Sequence, residues 1–199
     1  MNTFWAQQIY SPTGFAQEDI LNGAKALDFG CGDSKLPGAT GMDILKLSTV
    51  DVVHDVNETP WPFADNSFDL VFGNHVLEHV EDVLGTLGEI HRVVKPGGRV
   101  VVQVPYFRCV DAFNDPTHQH FFATHTLDYC IEGTTLANYQ YTNFLFRKAG
   151  FWYGWPHPSK NPLKRTLKHF IESHPKFYDQ YLSLLLPAEC LTWELEVIK

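Results

Sequence analysis

An α/β fold built around a largely parallel sheet is predicted for this chain. Short apolar runs recur along its first half, a stretch of helical period separates two of them, and several runs end on a glycine or an acidic residue. Ala24 to Phe29 reads as the first strand, Thr40 to Ile44 as the second, Val50 to Val56 as the third and Phe68 to Gly73 as the fourth. Between Val76 and Val94 the apolar positions Val80, Val83, Leu84, Leu87, Ile90, Val93 and Val94 recur at three- and four-residue steps, which predicts an amphipathic helix. Pro96-Gly97-Gly98 stops it, and Arg99 to Val104, almost wholly apolar and β-branched, reads as a central strand covered on both faces.

After Pro105 the character changes. Residues 106–141 are rich in aromatics and histidines, with turn signals at Asn114-Asp115-Pro116 and Glu132-Gly133, and read as a cap on the substrate side of a site. Tyr141 to Ala149 is expected as a short helix closed by Gly150, Phe151 to Trp155 as a strand, and Leu163 to Ser173 as a helix with Lys164, Arg165 and Lys168 on its solvated side. Leu191 to Ile198 alternates apolar and polar residues, as a strand with one wetter face does.

The bulk properties agree with one compact domain over residues 1–199: 44% of residues are hydrophobic, 19% charged, and no low-complexity tract interrupts them. A formal net charge of −8, with only 15 lysines and arginines, disfavours a nucleic-acid partner, because each phosphate contact calls for a cation. Cys31, Cys109, Cys130 and Cys190 are scattered, with no paired spacing for zinc or a disulfide scaffold. The start at Met1-Asn2-Thr3-Phe4-Trp5 lacks the features of a signal peptide, and no apolar run is long enough to span a bilayer. A soluble, cytoplasmic protein is expected.

The stretch LDFGCGDS, Leu27 to Ser34, places Gly30 and Gly32 directly after a strand, where the absence of Cβ lets the backbone bend sharply and lie against a ligand. The second strand then delivers Asp43, followed by Ile44, and the third delivers Asp55, followed by Val56. Carboxyl ends of neighbouring parallel strands open into one crevice, where one carboxylate can accept ribose hydroxyls and the other an adenine amino group. A dinucleotide site would add a third glycine and set its acidic residue about twenty positions further on. Here Asp33, Ser34 and Lys35 follow Gly32, and Asp43 comes only eleven residues after it. Asp33 would also repel a pyrophosphate. An adenosine ligand without phosphates, such as S-adenosylmethionine, fits better.

With LDFGCGDS, GMDI, HDVNETPWPFADNSFDLVFGNHVLEHVED and EIHRVVKPGGRVVVQVP in one order, the chain resembles the Rossmann-type S-adenosylmethionine-dependent methyltransferases, in particular the broad small-molecule group called type eleven. The resemblance covers roughly Ala24 to Pro105. It implies a Rossmann-like, doubly wound sheet of seven strands with the last antiparallel. It further implies that Asp28, Gly30, Cys31 and Gly32 line the methionine and ribose side, that Asp43 with Ile44 holds the ribose, that Asp55 and Val56 flank the adenine, and that Asn74 and His75 sit near the sulfonium. The implied reaction is methyl transfer to a small-molecule acceptor. Two departures stand out: Gly32 to Asp43 is too short for the family's first helix, and Ser34 replaces a frequent third glycine. The N-terminal segment around Trp5 to Tyr10 is the candidate cover for the methionine end.

Histidines raise other readings. His75-Val76-Leu77-Glu78-His79 matches the inverted zinc-peptidase pattern, with both histidines on one helical face if the segment is helical. In Asp115-Pro116-Thr117-His118-Gln119-His120, together with His125, either central histidine could join Asp115 on a metal, or the rings could simply tie a long loop to the sheet. No resident metal is assigned. His118 and His120 are the expected acceptor-facing residues, because their loop follows the fifth strand; a binding or regulatory domain that keeps the pocket without turnover is the alternative from another class.

Overall fold

The computed structural model describes residues 23–154 and 162–199. Seven strands form one sheet: β1 (Ala26–Phe29), β2 (Thr40–Asp43), β3 (Val52–Val53), β4 (Phe68–Asn74), β5 (Val94–Pro105), β6 (Leu145–Tyr153) and β7 (Cys190–Ile198). Their order is β3-β2-β1-β4-β5-β7-β6; the first five run parallel and β7 runs antiparallel to both neighbours. The doubly wound sheet with an antiparallel last strand is thus present. Its order reverses between β1 and β4, which opens a crevice at the carboxyl ends of those strands.

Gly30 through Ser67 lie between β1 and β4, and β2 and the two-residue β3 are the strands within them. The third strand is shorter than its apolar run because it is an edge: Val53 is 55% exposed, while Asp51 turns back to accept from the Gly41 amide at 2.7 Å and from Lys35 Nζ at 2.7 Å. Residues 33–39 form turns without a helix, in line with the short Gly32–Asp43 spacing.

The amphipathic helix α1 spans Val83–Val93, seven residues shorter at its start than its apolar period suggests. Asp82 decides the boundary: its carboxylate caps the helix by accepting from the Gly85 amide at 2.9 Å. Residues 76–82 therefore run as turns, although Val76, Leu77 and Val80 still point into the core. Further along α1, Glu89 accepts from the Trp61 amide at 2.6 Å and pairs with Arg92, whose guanidinium also donates to the Trp61 and Phe63 carbonyls. Trp61 is thereby held against Phe29, with ring centroids 5.5 Å apart, and its Nε1 donates to the Val56 carbonyl at 3.0 Å.

Two expectations for the second half are corrected. The helix over Tyr141 to Ala149 and the separate strand from Phe151 are one strand, β6, with a register irregularity between Lys148 and Gly150. Pairing with β7 overrides the local helical period, and the irregularity absorbs the small residue Ala149. Trp155, the predicted end of that strand, and the Trp5 to Tyr10 segment lie outside the described residues. Nor does β7 have a wetter face: Cys190 to Leu195 are all buried, because the strand is inserted between β5 and β6. Thr192 accordingly accepts from Gln103 Nε2 at 2.8 Å and donates to the Gly154 carbonyl. The predicted helix at Leu163 to Ser173 is α2, Pro162–Ser173. No described helix is long and apolar enough to cross a membrane.

Gly73 in β4 is fixed by packing, since a Cβ there would lie 2.2 Å from the Phe29 ring. Gly73→Ala is expected to displace the Phe29–Trp61 pair and lower stability by roughly 1–3 kcal/mol, read as a reduced midpoint in urea denaturation.

Candidate functional site

The bend after β1 is tied directly to the end of β2. The Gly30 amide donates to the Met42 carbonyl at 2.7 Å, and the Gly32 amide donates to the Asp43 carboxylate at 2.9 Å. The second Asp43 oxygen accepts from the Leu45 amide at 2.8 Å. Both glycines adopt positive φ, +63° and +50°, where other residues are strained. Their surroundings differ. A Cβ on Gly30 would strike Val76 at 2.4 Å, whereas one on Gly32 would meet nothing within 4 Å. Gly30 is thus needed for the protein to pack on itself, and Gly32 faces open space.

Beneath the bend, Asp28 is 3% exposed and accepts from the Leu36 amide at 2.6 Å. Burial pushes its carboxyl up to about 7, against the opposing pull of that amide and of Lys35; the negative charge of Asp43 pushes the same way as burial. Burial, reinforced by Asp28 and Asp43, also pushes the Cys31 thiol up to about 12, so Cys31 is a neutral packing residue rather than a nucleophile.

Ile44, immediately after Asp43, is 61% exposed at the crevice. Past β3, Asp55 accepts from the backbone and side chain of Asn57, at 2.9 and 3.1 Å, and the half-buried Val56 packs on the core. Asn74 ends β4 with its Oδ1 buried and unpartnered. Next to it His75 is held at φ +57°, its amide bonded to the Gln103 carbonyl and its Nδ1 3.1 Å from Glu78 Oε1. A histidine in the left-handed region at a strand end is a local strain of the kind found at ligand sites.

That conformation overturns the helical reading of His75-x-x-Glu78-His79. The segment is a turn and α1 starts only at Val83, so the two histidines do not share a helical face. The 117–120 segment instead docks on it: the Gln119 and His120 amides donate to the Glu78 carbonyl, Gln119 Nε2 to the His79 carbonyl, and His120 Nε2 to the Val80 carbonyl at 2.9 Å. His118 donates through Nδ1 to the Ala112 carbonyl at 2.9 Å. His125 lies apart from this group, paired with Asp128 at 2.7 Å, and Asp115 is taken up by Thr117. Reasoning from the sequence missed the meeting of Glu78 and His79 with His118; the only available signal was that two histidine-bearing turns each follow a strand of the sheet.

A cavity of about 1270 Å³ lies between α1 and residues 132–145 and shares no lining residue with the glycine bend.

Residues 27–102 match the family model described as a methyltransferase domain. A demethylmenaquinone methyltransferase of Bacillus mycoides is 34% identical, over 42% of this chain and 45% of that protein; the chain thus spans less than half the length of the curated relatives it matches. A SAM-dependent methyltransferase from Archaeoglobus fulgidus superposes with a TM-score of 0.58 at 16% identity, covering 90% of this chain and 89% of that one. The [4+2]-cyclase SpnF superposes with a TM-score of 0.54 at 16% identity, covering 92% and 79%. These likenesses give the fold; they do not by themselves give the reaction.

The environment of Asp28 has a measurable signature. Its carboxyl is raised from 3.8 to about 7 on folding, so the stability it contributes is complete below about pH 4 and is lost as pH rises towards 7. Asp28→Asn, which keeps an acceptor for the Leu36 amide, is expected to remove this component. The variant should gain on the parent by an amount on the order of a few kcal/mol between pH 4 and 7, followed by urea denaturation at stepped pH.

Proposed function

We propose that this chain, a Rossmann-type methyltransferase by the sequence of residues 27–102 and by its sheet, binds S-adenosylmethionine and methylates a small-molecule acceptor. The observation that carries the proposal is the Asp43 carboxylate bonded to the Gly32 amide, which joins a glycine bend facing open space to an acidic residue at the neighbouring strand end. The residues present fit the cofactor. Asp43 keeps lone pairs on both oxygens beyond its two amide bonds, enough to accept a pair of ribose hydroxyls. Asn74 Oδ1, buried and unpartnered, offers an acceptor to the ammonium or a hydroxyl. Exposed Ile44 and half-buried Val56 give apolar cover to an adenine, with Asp55 beside them. The bend carries Asp33, and the nearby cation, Lys35, is paired with Asp51 at 2.7 Å rather than left free for a phosphate.

The bound sulfonium would supply an already activated methyl group, leaving the protein to align the acceptor and exclude water. For a hydroxyl acceptor, two imidazoles are in the right state to take a proton. Donation to a carbonyl fixes the proton of His118 on Nδ1 and that of His120 on Nε2, so the lone pairs lie on His118 Nε2 and His120 Nδ1. Phe113 and Phe121, stacked at 4.8 Å and both exposed, give this loop an apolar surface for the acceptor. The excess negative charge favours a small molecule over a nucleic acid. A reducing cytosolic setting suits four cysteines that are all free and buried.

Titration calorimetry with S-adenosylhomocysteine tests the proposal. The parent should bind, Asp43→Ala should bind at least about tenfold more weakly through loss of charged hydrogen bonds, and Gly32→Val should abolish binding by filling the crevice. No binding by the parent, or an unchanged affinity for Asp43→Ala, overturns it. Turnover of labelled methyl donor across acceptor classes then separates an enzyme from a binding domain.

A further inference from the structure

We propose that Glu78, His79 and His118 form a binding site for a first-row divalent transition-metal cation. One ligand atom from each residue lies within 4.8 Å of the other two. Glu78 is 1% exposed; its Oε1 meets His75, and its Oε2 is buried with no partner. A carboxylate oxygen left this way is costly unless a cation or donor reaches it.

The two rings are set for coordination by their outer hydrogen bonds. Thr117 Oγ1 spends its proton on Asp115 Oδ1 at 2.7 Å, so at its 2.9 Å contact with His79 it can only accept, and the His79 proton is on Nδ1. His118 likewise holds its proton on Nδ1, against the Ala112 carbonyl. Both rings are left with Nε2 lone pairs, and their centroids are 4.6 Å apart. An imidazole whose other nitrogen donates to a carbonyl or hydroxyl is the arrangement that orients and strengthens a metal ligand. A carboxylate oxygen without a partner and two rings each keeping an Nε2 lone pair thus belong to one cluster, and a cation is what such a group lacks.

Two imidazoles and one carboxylate select zinc or iron(II) over magnesium or calcium, which take oxygen donors. Tetrahedral bonding would set the ligand atoms roughly 3.4 Å apart, so a modest closing of the two turns completes the site. Three protein ligands leave a coordination position open to an oxygen or nitrogen of a small molecule. With His118 committed to the cation, proton acceptance from an acceptor hydroxyl would fall to His120 Nδ1. The site itself is independent of the methyl-transfer reading, since nothing in it depends on cofactor binding.

The full chain, stripped with chelator and dialysed, is titrated with zinc and, separately, magnesium. One equivalent of zinc should bind and raise the thermal midpoint, and magnesium should not compete. Glu78→Gln and His118→Gln should each weaken zinc binding by at least about 100-fold, with His174→Ala, on an exposed helix end, unchanged. Cobalt(II) should give a visible spectrum without a thiolate charge-transfer band, which excludes the cysteines. The proposal is overturned if the parent binds no stoichiometric zinc, if a thiolate band appears, or if His118→Gln folds normally and keeps full affinity. None of these readouts involves S-adenosylhomocysteine, so their failure leaves the methyl-transfer reading standing, and the reverse holds too.

Discussion

The hydrogen bond from the Gly32 amide to the Asp43 carboxylate fixes the geometry on which the crevice depends. It locks the path of the chain leaving β1 to the carboxyl end of β2, and Asp43 is held from its other side by the Leu45 amide. Backbone amides pointing at a buried carboxylate are strong, charge-assisted donors, and they keep the group oriented without a cation. The bend can then carry two left-handed glycines in succession, one admitting Val76 of the turn after β4 and one leaving space. Strands β1, β2 and β4 are in this way coordinated at a single edge of the sheet.

Much of the first half was legible in the sequence because its strands are short, continuous apolar runs whose ends are marked by residues with definite backbone preferences. Gly30, Gly32 and Asp43 sit where such marks predict. The start of α1 was misplaced because Val76, Leu77 and Val80 are buried from turns, and burial alone produces the same apolar spacing as a helix. Only the Asp82 cap separates the two cases. In the second half the period-based reading broke down: β6 forms by pairing with β7, some forty residues away in sequence, and β7 is buried on both faces despite Thr192 and Glu194. Polar residues satisfied inside a sheet look, in a sequence, like residues facing water.

The candidate site was readable to the extent that it is built at strand ends, and unreadable where it depends on long-range docking. Residues 117–120 reach the 78–80 turn through backbone bonds that carry no compositional trace. That docking makes neighbours of His79 and His118, 39 positions apart in the chain, and gives the cap region a rigid attachment to the sheet. Loops positioned this way on a stable scaffold are where recognition usually resides.

The insertion of β7 between β5 and β6 also bears on how the molecule is made. Gln103 and the residue it bonds, Thr192, are 89 positions apart, so during synthesis β5 emerges from the ribosome with one rim of its ladder unsatisfied until β7 is translated. Such non-local closure is slow, and an open apolar rim is a template for unwanted pairing with other chains. The nascent protein therefore has a window of exposure in which chaperone capture competes with aggregation.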